Sequence, residues 1–178
     1  RPRAPTLVGT CGLPDNIYGM DLRDTLAFVA TGVSGLQIVN VARPASPAVV
    51  GELVPPNGAC GVAVIDTFAY VVSGNLYIAS VANPTSPYLI DSMVLPNFGA
   101  SVVASDSLLF VGSSAVLGGR TEVRLLDISS PTKPASVGSL GTPASVNRLA
   151  WAAPYLYAAC GDAGVLIFEP EHLQIRQH

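Results

Sequence analysis

The sequence predicts an all-β protein built from four repeated sheets, because two unrelated markers recur along the chain with the same period. The first marker is a pair of prolines three positions apart, found at Pro2/Pro5, Pro44/Pro47, Pro84/Pro87 and Pro131/Pro134. The second is a strand-like segment centred on an aromatic residue, at Phe28, Tyr70, Phe110 and Tyr157. Both markers advance by 42, 40 and 47 residues, which indicates four copies of one structural unit.

Each unit is expected to contribute four short strands. The innermost strands read GMDLR, GVAVI, SVVAS and RLAWA, and segments that are apolar on both faces are typical of strands enclosed between neighbouring sheets. Tight turns at Asp24-Thr25, Asp66-Thr67 and Asp106-Ser107, with Pro154 in the fourth unit, lead into the aromatic strand. The third strands read LQIVNV, LYIASV, VRLLDI and VLIFE.

The proline pairs follow these third strands and predict an extended connector that ends one strand and begins the outermost one. Four-stranded units of this length are typical of the blades of a β-propeller. We therefore predict one domain over residues 1–170, with repeats at about 2–43, 44–83, 84–130 and 131–170, and a tail at 171–178.

The fourth unit lacks an outer strand of its own. The N-terminal segment PTLVG, residues 5–9, would supply it if this segment pairs with the last blade and closes a four-bladed ring, which removes two exposed sheet edges. Two alternatives remain open: the chain is half of an eight-bladed ring formed by two chains, or a fragment of a larger propeller. A monomer or a homodimer is expected accordingly.

The segments GLQIVNVARPASP and VRLLDISSPTKP resemble the LVIVD repeat of bacterial and archaeal cell-surface and secreted proteins, and the resemblance covers nearly the whole chain. It implies a β-propeller that is usually extracytoplasmic and often part of a larger surface protein, and it brings no catalytic residue. The aspartate usual in the third strand is present only as Asp127, where the other units have Asn40, Ser80 and Glu169. We expect this side chain to bond to the nearby turn.

Composition argues against several partners and cofactors. The net charge is −3 and the nine basic residues are scattered, so no basic stripe for nucleic acid is present. The most apolar stretch, residues 149–168, is interrupted by proline, glycine and aspartate, so no membrane insertion is expected. The spacing of Cys11, Cys60 and Cys160 matches neither a zinc ribbon nor a redox pair, and we interpret them as small buried hydrophobic residues.

Residues for catalysis or metal binding are sparse. The two histidines, His172 and His178, lie in the tail, and no nucleophile elbow occurs. Asp21 and Asp24 are three residues apart on a strand and its turn, so their side chains should diverge rather than share a metal ion. We predict no enzyme activity, no metal site and no cofactor.

Departures from the repeat provide the candidate binding residues. Asp21, Asn147 and Arg148 interrupt the apolar inner strands near Tyr18, where the propeller axis would open to ligands. Asp21 and Arg148 could instead pair with each other. The third unit is also seven residues longer than the second, and this insertion carries Arg120 on a loop expected to project from one rim.

The sequence thus favours a non-catalytic extracellular or cell-surface module that binds a protein or glycan, or acts as a scaffold, through a rim or the axial mouth. Two alternatives belong to other classes: a hydrolase with a site in the axial pocket, and a structural unit of a surface layer or filament. The hydrolase would require paired carboxylates near the axis.

Overall fold

The computed structural model describes residues 4–115 and 120–170, which form fifteen β-strands in four antiparallel sheets. The first sheet contains β1 (Gly19–Arg23), β2 (Leu26–Ala30), β3 (Leu36–Asn40) and β4 (Ala48–Leu53). The second contains β5 (Gly61–Ile65), β6 (Phe68–Ser73), β7 (Asn75–Ser80) and β8 (Tyr88–Met93).

The third sheet contains β9 (Phe98–Ser105), β10 (Leu108–Ser114), β11 (Glu122–Asp127) and β12 (Ala135–Gly141). The fourth contains β13 (Arg148–Ala152), β14 (Tyr155–Ala159) and β15 (Val165–Phe168), with a 3-10 helix at Gly161–Ala163. Within each sheet the strands lie in chain order, and the inner strands β1, β5, β9 and β13 are successive neighbours. The predicted all-β, four-bladed propeller is confirmed.

The turns between the first two strands of a blade are the predicted ones. Asp24, Asp66 and Asp106 have φ angles of 53°, 50° and 47°, in the left-handed region that aspartate tolerates better than most residues. The residue at the end of the third strand was predicted to bond to the nearby turn, and this is confirmed in two blades. Oδ1 of Asn40 accepts a hydrogen bond from the backbone N–H of Ala42, and Oδ1 of Asp127 accepts one from the backbone N–H of Ser129. The Asp127 pKa is lowered by its bonds from the Ser129 hydroxyl and backbone N–H.

Each blade has two packing faces, which we name by their neighbours. The forward face packs against the next blade in chain order, and the rear face packs against the preceding blade. Between the first two blades, forward residues Phe28 and Ile38 pack in one core with rear residues Val62, Val71 and Tyr77. Two equivalent cores join the second blade to the third and the third to the fourth.

The cores contain the residues expected from the repeat. Phe28, Tyr70 and Phe110, the aromatic centres of the first three blades, are fully buried, and the ring of Phe110 stacks on that of Trp151 with centroids 5.3 Å apart. All three cysteines are free: Cys160 is fully buried in the third core, whereas Cys11 and Cys60 are half-buried. Burial raises the pKa of the Cys160 thiol.

The predicted closure by the N-terminal strand is wrong for the described residues. Residues 4–18 form no strand, and the fourth sheet contains three strands, with β15 paired to β14 alone. Cys11 and Leu13 instead cover the rear face of the first blade, at Ala27, Val29 and Val39. The segment therefore packs on the first blade without adding a strand to the last.

Candidate functional site

The four inner strands enclose a cavity of about 260 Å³ around the propeller axis. Each blade contributes to its wall: Met20 and Asp21 from β1, residues 61–64 from β5, residues 102–104 from β9, and Arg148 and Leu149 from β13. Two of the predicted site residues, Asp21 and Arg148, therefore line one cavity. This volume lies close to the lower end of the range of about 300 to 1,000 Å³ that is common for small-molecule pockets.

Asp21 is held by backbone donors on both of its carboxylate oxygens. Oδ1 accepts a bond of 2.8 Å from the N–H of Leu22, and Oδ2 accepts a bond of 2.7 Å from the N–H of Val64. The second bond crosses from β1 to β5 and joins the first two blades at the axis. Asp21 thus has a structural role, because its charge is satisfied by the protein backbone.

Arg148 makes the corresponding connection between the last blade and the first. Its Nη2 donates to the carbonyl oxygen of Tyr18, at the entry to β1. The described ion pairs are Arg23 with Asp24 and Arg124 with Glu122, so Asp21 and Arg148 do not pair across the axis. Between the third and fourth blades, the N–H of Leu149 donates to Oγ of Ser101 at 3.0 Å.

Four of the five predicted site residues lie at one end of the propeller. Gly19, the first residue of β1, pairs with Ala30, the last residue of β2. The inner strands therefore begin at the same end of the propeller as the turns that connect the second and third strands. We call this end the upper rim. Tyr18, Asn147 and Arg148 lie there at strand entries, and Arg120 lies there on the β10–β11 loop; all four are exposed.

The sequence analysis missed a set of exposed apolar side chains on this rim. They occupy strand ends and loops of the first three blades, and we call them the apolar rim surface: Ile17, Tyr18, Val33, Val54, Val94 and Phe98. One signal in the sequence could have located part of it, since Val33 lies in a glycine-flanked turn, TGVSG, where a large apolar residue has no packing role.

Close backbone contacts join the members of this surface across blades. A Cβ atom on Gly32 would lie 2.9 Å from Cε2 of Tyr18, and one on Gly58 would lie 3.2 Å from Cα of Val33. On the next blade, a Cβ on Gly74 would lie 3.3 Å from Cε2 of Phe98 and 3.8 Å from Nδ2 of Asn57. Glycine backbone therefore lies directly beside each of the exposed rings, Gly32 beside Tyr18 and Gly74 beside Phe98.

The lower rim has a different character. It is formed by the aspartate turns and by the connections that carry the proline pairs, residues 41–47, 81–87 and 128–134. None of the large exposed apolar side chains of the described chain lies in these three connections. The proline-pair connections thus lack the exposed apolar side chains that the upper rim carries, although Tyr88 and Tyr155 are exposed where their strands begin at the lower end.

A half-buried polar network lies beside the upper rim. Arg124 pairs with Oε1 of Glu122, and Nδ2 of Asn97 donates to the same oxygen at 3.1 Å. Burial acts to raise the Glu122 pKa, but hydrogen bonds from Arg124, Ser139 and Asn97 outweigh it and the pKa is lowered. This ion pair is internally satisfied and joins the end of the second blade to the third.

Within residues 4–115 and 120–170, no cluster of three or more potential metal ligands occurs. The same residues include no helix that is both long and apolar enough to cross a membrane. The predicted tail, with His172 and His178, lies outside the described residues.

The family model described as LVIVD repeat matches residues 23–53 and 57–94. These residues correspond to the first blade, from its first turn to its outer strand, and to the second blade with the loop that precedes it. No curated protein matches the sequence.

Solved structures share the fold at low sequence identity. Hydrazine synthase of Kuenenia stuttgartiensis is 15% identical, with a TM-score of 0.72 over 97% of this chain and 50% of that chain. A functionally unknown protein of Desulfotomaculum acetoxidans DSM 771 is 14% identical, with a TM-score of 0.73 over 89% and 56%. The computationally designed Ika4 protein is 9% identical, with a TM-score of 0.64 over 94% and 99%.

The chain therefore spans about half the length of the two natural chains. At such identities the likeness concerns the fold alone. The two matched repeats, together with the strand order that recurs from blade to blade, support a relationship to the LVIVD-repeat β-propellers.

Proposed function

We propose that this propeller is a non-catalytic binding module, exposed at the cell surface or secreted, that docks a protein through its upper rim. The observation that carries the proposal is the apolar rim surface, which spans blades and has no counterpart in the proline-pair connections of the lower rim. Exposed apolar patches rimmed by polar groups are typical of protein–protein contact sites. The extracytoplasmic setting is proposed from the family resemblance.

The chemistry of the rim suggests the character of the partner. Tyr18 and Phe98 present aromatic rings beside glycine backbone, and aromatic residues are common in binding hot spots. Arg120 and Arg148 add exposed cationic groups at the same end, whereas the chain as a whole has a net charge of −3. A partner segment with apolar side chains and a carboxylate fits this combination.

The axial cavity supports the non-catalytic part of the proposal. Its described lining contains one carboxylate, that of Asp21, and both oxygens accept backbone hydrogen bonds. A glycoside hydrolase needs two carboxyl groups placed around the scissile bond. We therefore assign the binding role to the rim rather than a hydrolytic role to the cavity.

A peptide selection tests this proposal. Peptides enriched from a displayed random library on the immobilised chain would be measured against wild type, Phe98→Ala and Val33→Asp, with Lys133→Ala and Ala82→Asp as matched lower-rim controls. We expect apolar, acidic peptides whose affinity falls at least about tenfold in the rim variants and is unchanged in the controls. Equal affinity for all variants, or binding on a glycan array without any enriched peptide, would overturn the proposal.

A further inference from the structure

The last blade exposes a face that every other blade buries. On its forward face, Tyr157 pairs with Ile167 and Ala159 pairs with Val165. In the first three blades, the pairs equivalent to Tyr157 and Ile167 are Phe28 with Ile38, Tyr70 with Ile78, and Phe110 with Leu125. The pairs equivalent to Ala159 and Val165 are Ala30 with Leu36, Val72 with Leu76, and Gly112 with Val123.

The exposures of these equivalent residues differ sharply. Ile38, Ile78 and Leu125 are 0%, 1% and 1% exposed, whereas Ile167 is 61% exposed. Leu36, Leu76 and Val123 are each 0% exposed, whereas Val165 is 66% exposed. The chemistry of the face recurs between the repeats of this chain, so the fourth blade carries a packing face that no blade within residues 4–115 and 120–170 covers.

The first blade has the complementary deficiency on its rear face. Met20 is 60% exposed, although the equivalent Val62, Val102 and Leu149 are buried by the preceding blade. The rest of this face, around Ala27, Val29 and Val39, is covered by Cys11 and Leu13. Among the described residues, part of the rear face of the first blade and the forward face of the fourth blade are therefore not packed against another blade.

The N-terminal segment lies where an outer strand of a preceding blade would lie. A Cβ on Gly51, in the outer strand of the first blade, would be 1.9 Å from the carbonyl oxygen of Pro84 in the next blade. A Cβ on Gly9 would be 2.1 Å from the carbonyl oxygen of Pro44, the equivalent contact one blade earlier. The segment around Gly9 therefore lies beside the first blade in the position that an outer strand of a preceding blade would occupy, and the last blade lacks such an outer strand.

The two ends already approach each other within the chain without packing. Arg148 bonds to the Tyr18 carbonyl at the axis, yet Ile167, Val165 and Met20 stay exposed. The hydrogen bond at the axis therefore joins the two blades without burying the forward face of the fourth blade or Met20 on the first.

We propose that two copies of this chain associate head to tail into one closed ring. The forward face of each fourth blade packs on the rear face of the other copy's first blade, and residues 6–11 of each copy, which correspond to β4, pair with β15 of the other. The bond between Arg148 and Tyr18 is exchanged between the copies. Two identical contacts related by a twofold axis close the ring and cover both free sheet edges.

Molar mass measured by light scattering tests the association. We expect twice the chain mass of 18.3 kDa for the purified chain, and one chain mass for Ile167→Asp, because a carboxylate on the forward face cannot be desolvated there. Val94→Asp, which places the same charge on the upper rim, should keep the doubled mass. Circular dichroism should show unchanged β structure in both variants, since both positions are exposed in the single chain.

A cross-link identifies which ends meet. Cys11 occupies the position equivalent to Leu53, which pairs with Leu36, and Leu36 corresponds to Val165. Under mild oxidation, Val165→Cys should give a covalent dimer on a non-reducing gel, and the same substitution combined with Cys11→Ser should not. A mass of one chain at all concentrations, a mass above two chains, or a cross-link formed within one chain would overturn the proposal.

Discussion

The carboxylate of Asp21 accepts a hydrogen bond from the backbone N–H of Val64, and this contact joins the inner strands of the first two blades. Asp21→Ala should lower the free energy of unfolding by about 1 to 3 kcal/mol, because the Val64 donor loses its partner beside the axial cavity. Chemical denaturation at neutral pH measures the difference. Asp91 makes only the local bond to its following residue, so Asp91→Ala is the matched control, and equal effects of the two changes would contradict the role of the interblade bond.

Tyr70 joins the second blade to the third through its hydroxyl, which donates to the carbonyl oxygen of Pro131 at 3.1 Å. Tyr70→Phe should cost about 0.5 to 1.5 kcal/mol at neutral pH, since one buried hydrogen bond is lost while the ring is kept. Tyr88→Phe, on the exposed outer strand β8, should change little.

The stability difference between wild type and Tyr70→Phe should also depend on pH. Burial, and to a lesser extent the charge of Asp66, raise the pKa of Tyr70 to about 12 from the usual 10.0. A raised pKa in the folded state stabilises the fold fully below pH 10.0 and progressively less up to about pH 12. The stability gap between wild type and Tyr70→Phe should therefore narrow over this range, and parallel stability curves would refute it.

We expect the stabilising contribution of Glu122 to the folded state to be lost in acid. Its hydrogen bonds to Arg124, Ser139 and Asn97 lower its pKa below 4.5 despite partial burial. A lowered pKa stabilises the folded state above pH 4.5, and this contribution disappears as the pH falls through the folded-state value. Urea unfolding between pH 7 and pH 3 should show the advantage of wild type over Glu122→Gln shrinking with acidity. Glu52→Gln, at an exposed site, serves as the matched control for the substitution itself.

Gly51 and Gly9 test the contacts of the outer strands. A side chain at Gly51 would collide with backbone of the next blade, so Gly51→Ala should destabilise the protein by about 1 to 3 kcal/mol. Gly9→Ala should instead displace the N-terminal segment, which limited proteolysis would report as faster cleavage before Cys11 with little change in melting temperature. Gly141→Ala has open space around the new methyl group; if it were as disruptive as Gly51→Ala, close approach would not be the cause.

The blades were predictable from the sequence because each is a local object. The period of the proline pairs, the aspartate turns and the alternation around Phe28, Tyr70 and Phe110 act over a few residues, and each constrains the backbone directly. Local chemistry also predicted the hydrogen bonds of Asn40 and Asp127 to the turns that follow them.

The candidate site was predicted less completely. Tyr18, Asn147, Arg148 and Arg120 were recognised as departures from the repeat, and the structure places them on one rim. The roles of Asp21 and Arg148 as bonds between blades depend on which backbone groups of neighbouring strands come within reach, and this is fixed by the packing of whole sheets. Phe98 was missed because an apolar residue at the start of a strand is expected in the core until its exposure is known, whereas Val33 lies in a turn whose sequence could have indicated its exposure.

The sequence by itself determined how many sheets form and which strands the first three contain, because periodicity and turn chemistry are short-range properties of the chain. Only the tertiary structure decided how the ends meet. The angle between packed blades depends on the shapes of many side chains together, and small differences in that angle accumulate around a ring. In this chain the N-terminal segment lies against the first blade, while the face of Val165 and Ile167 remains open.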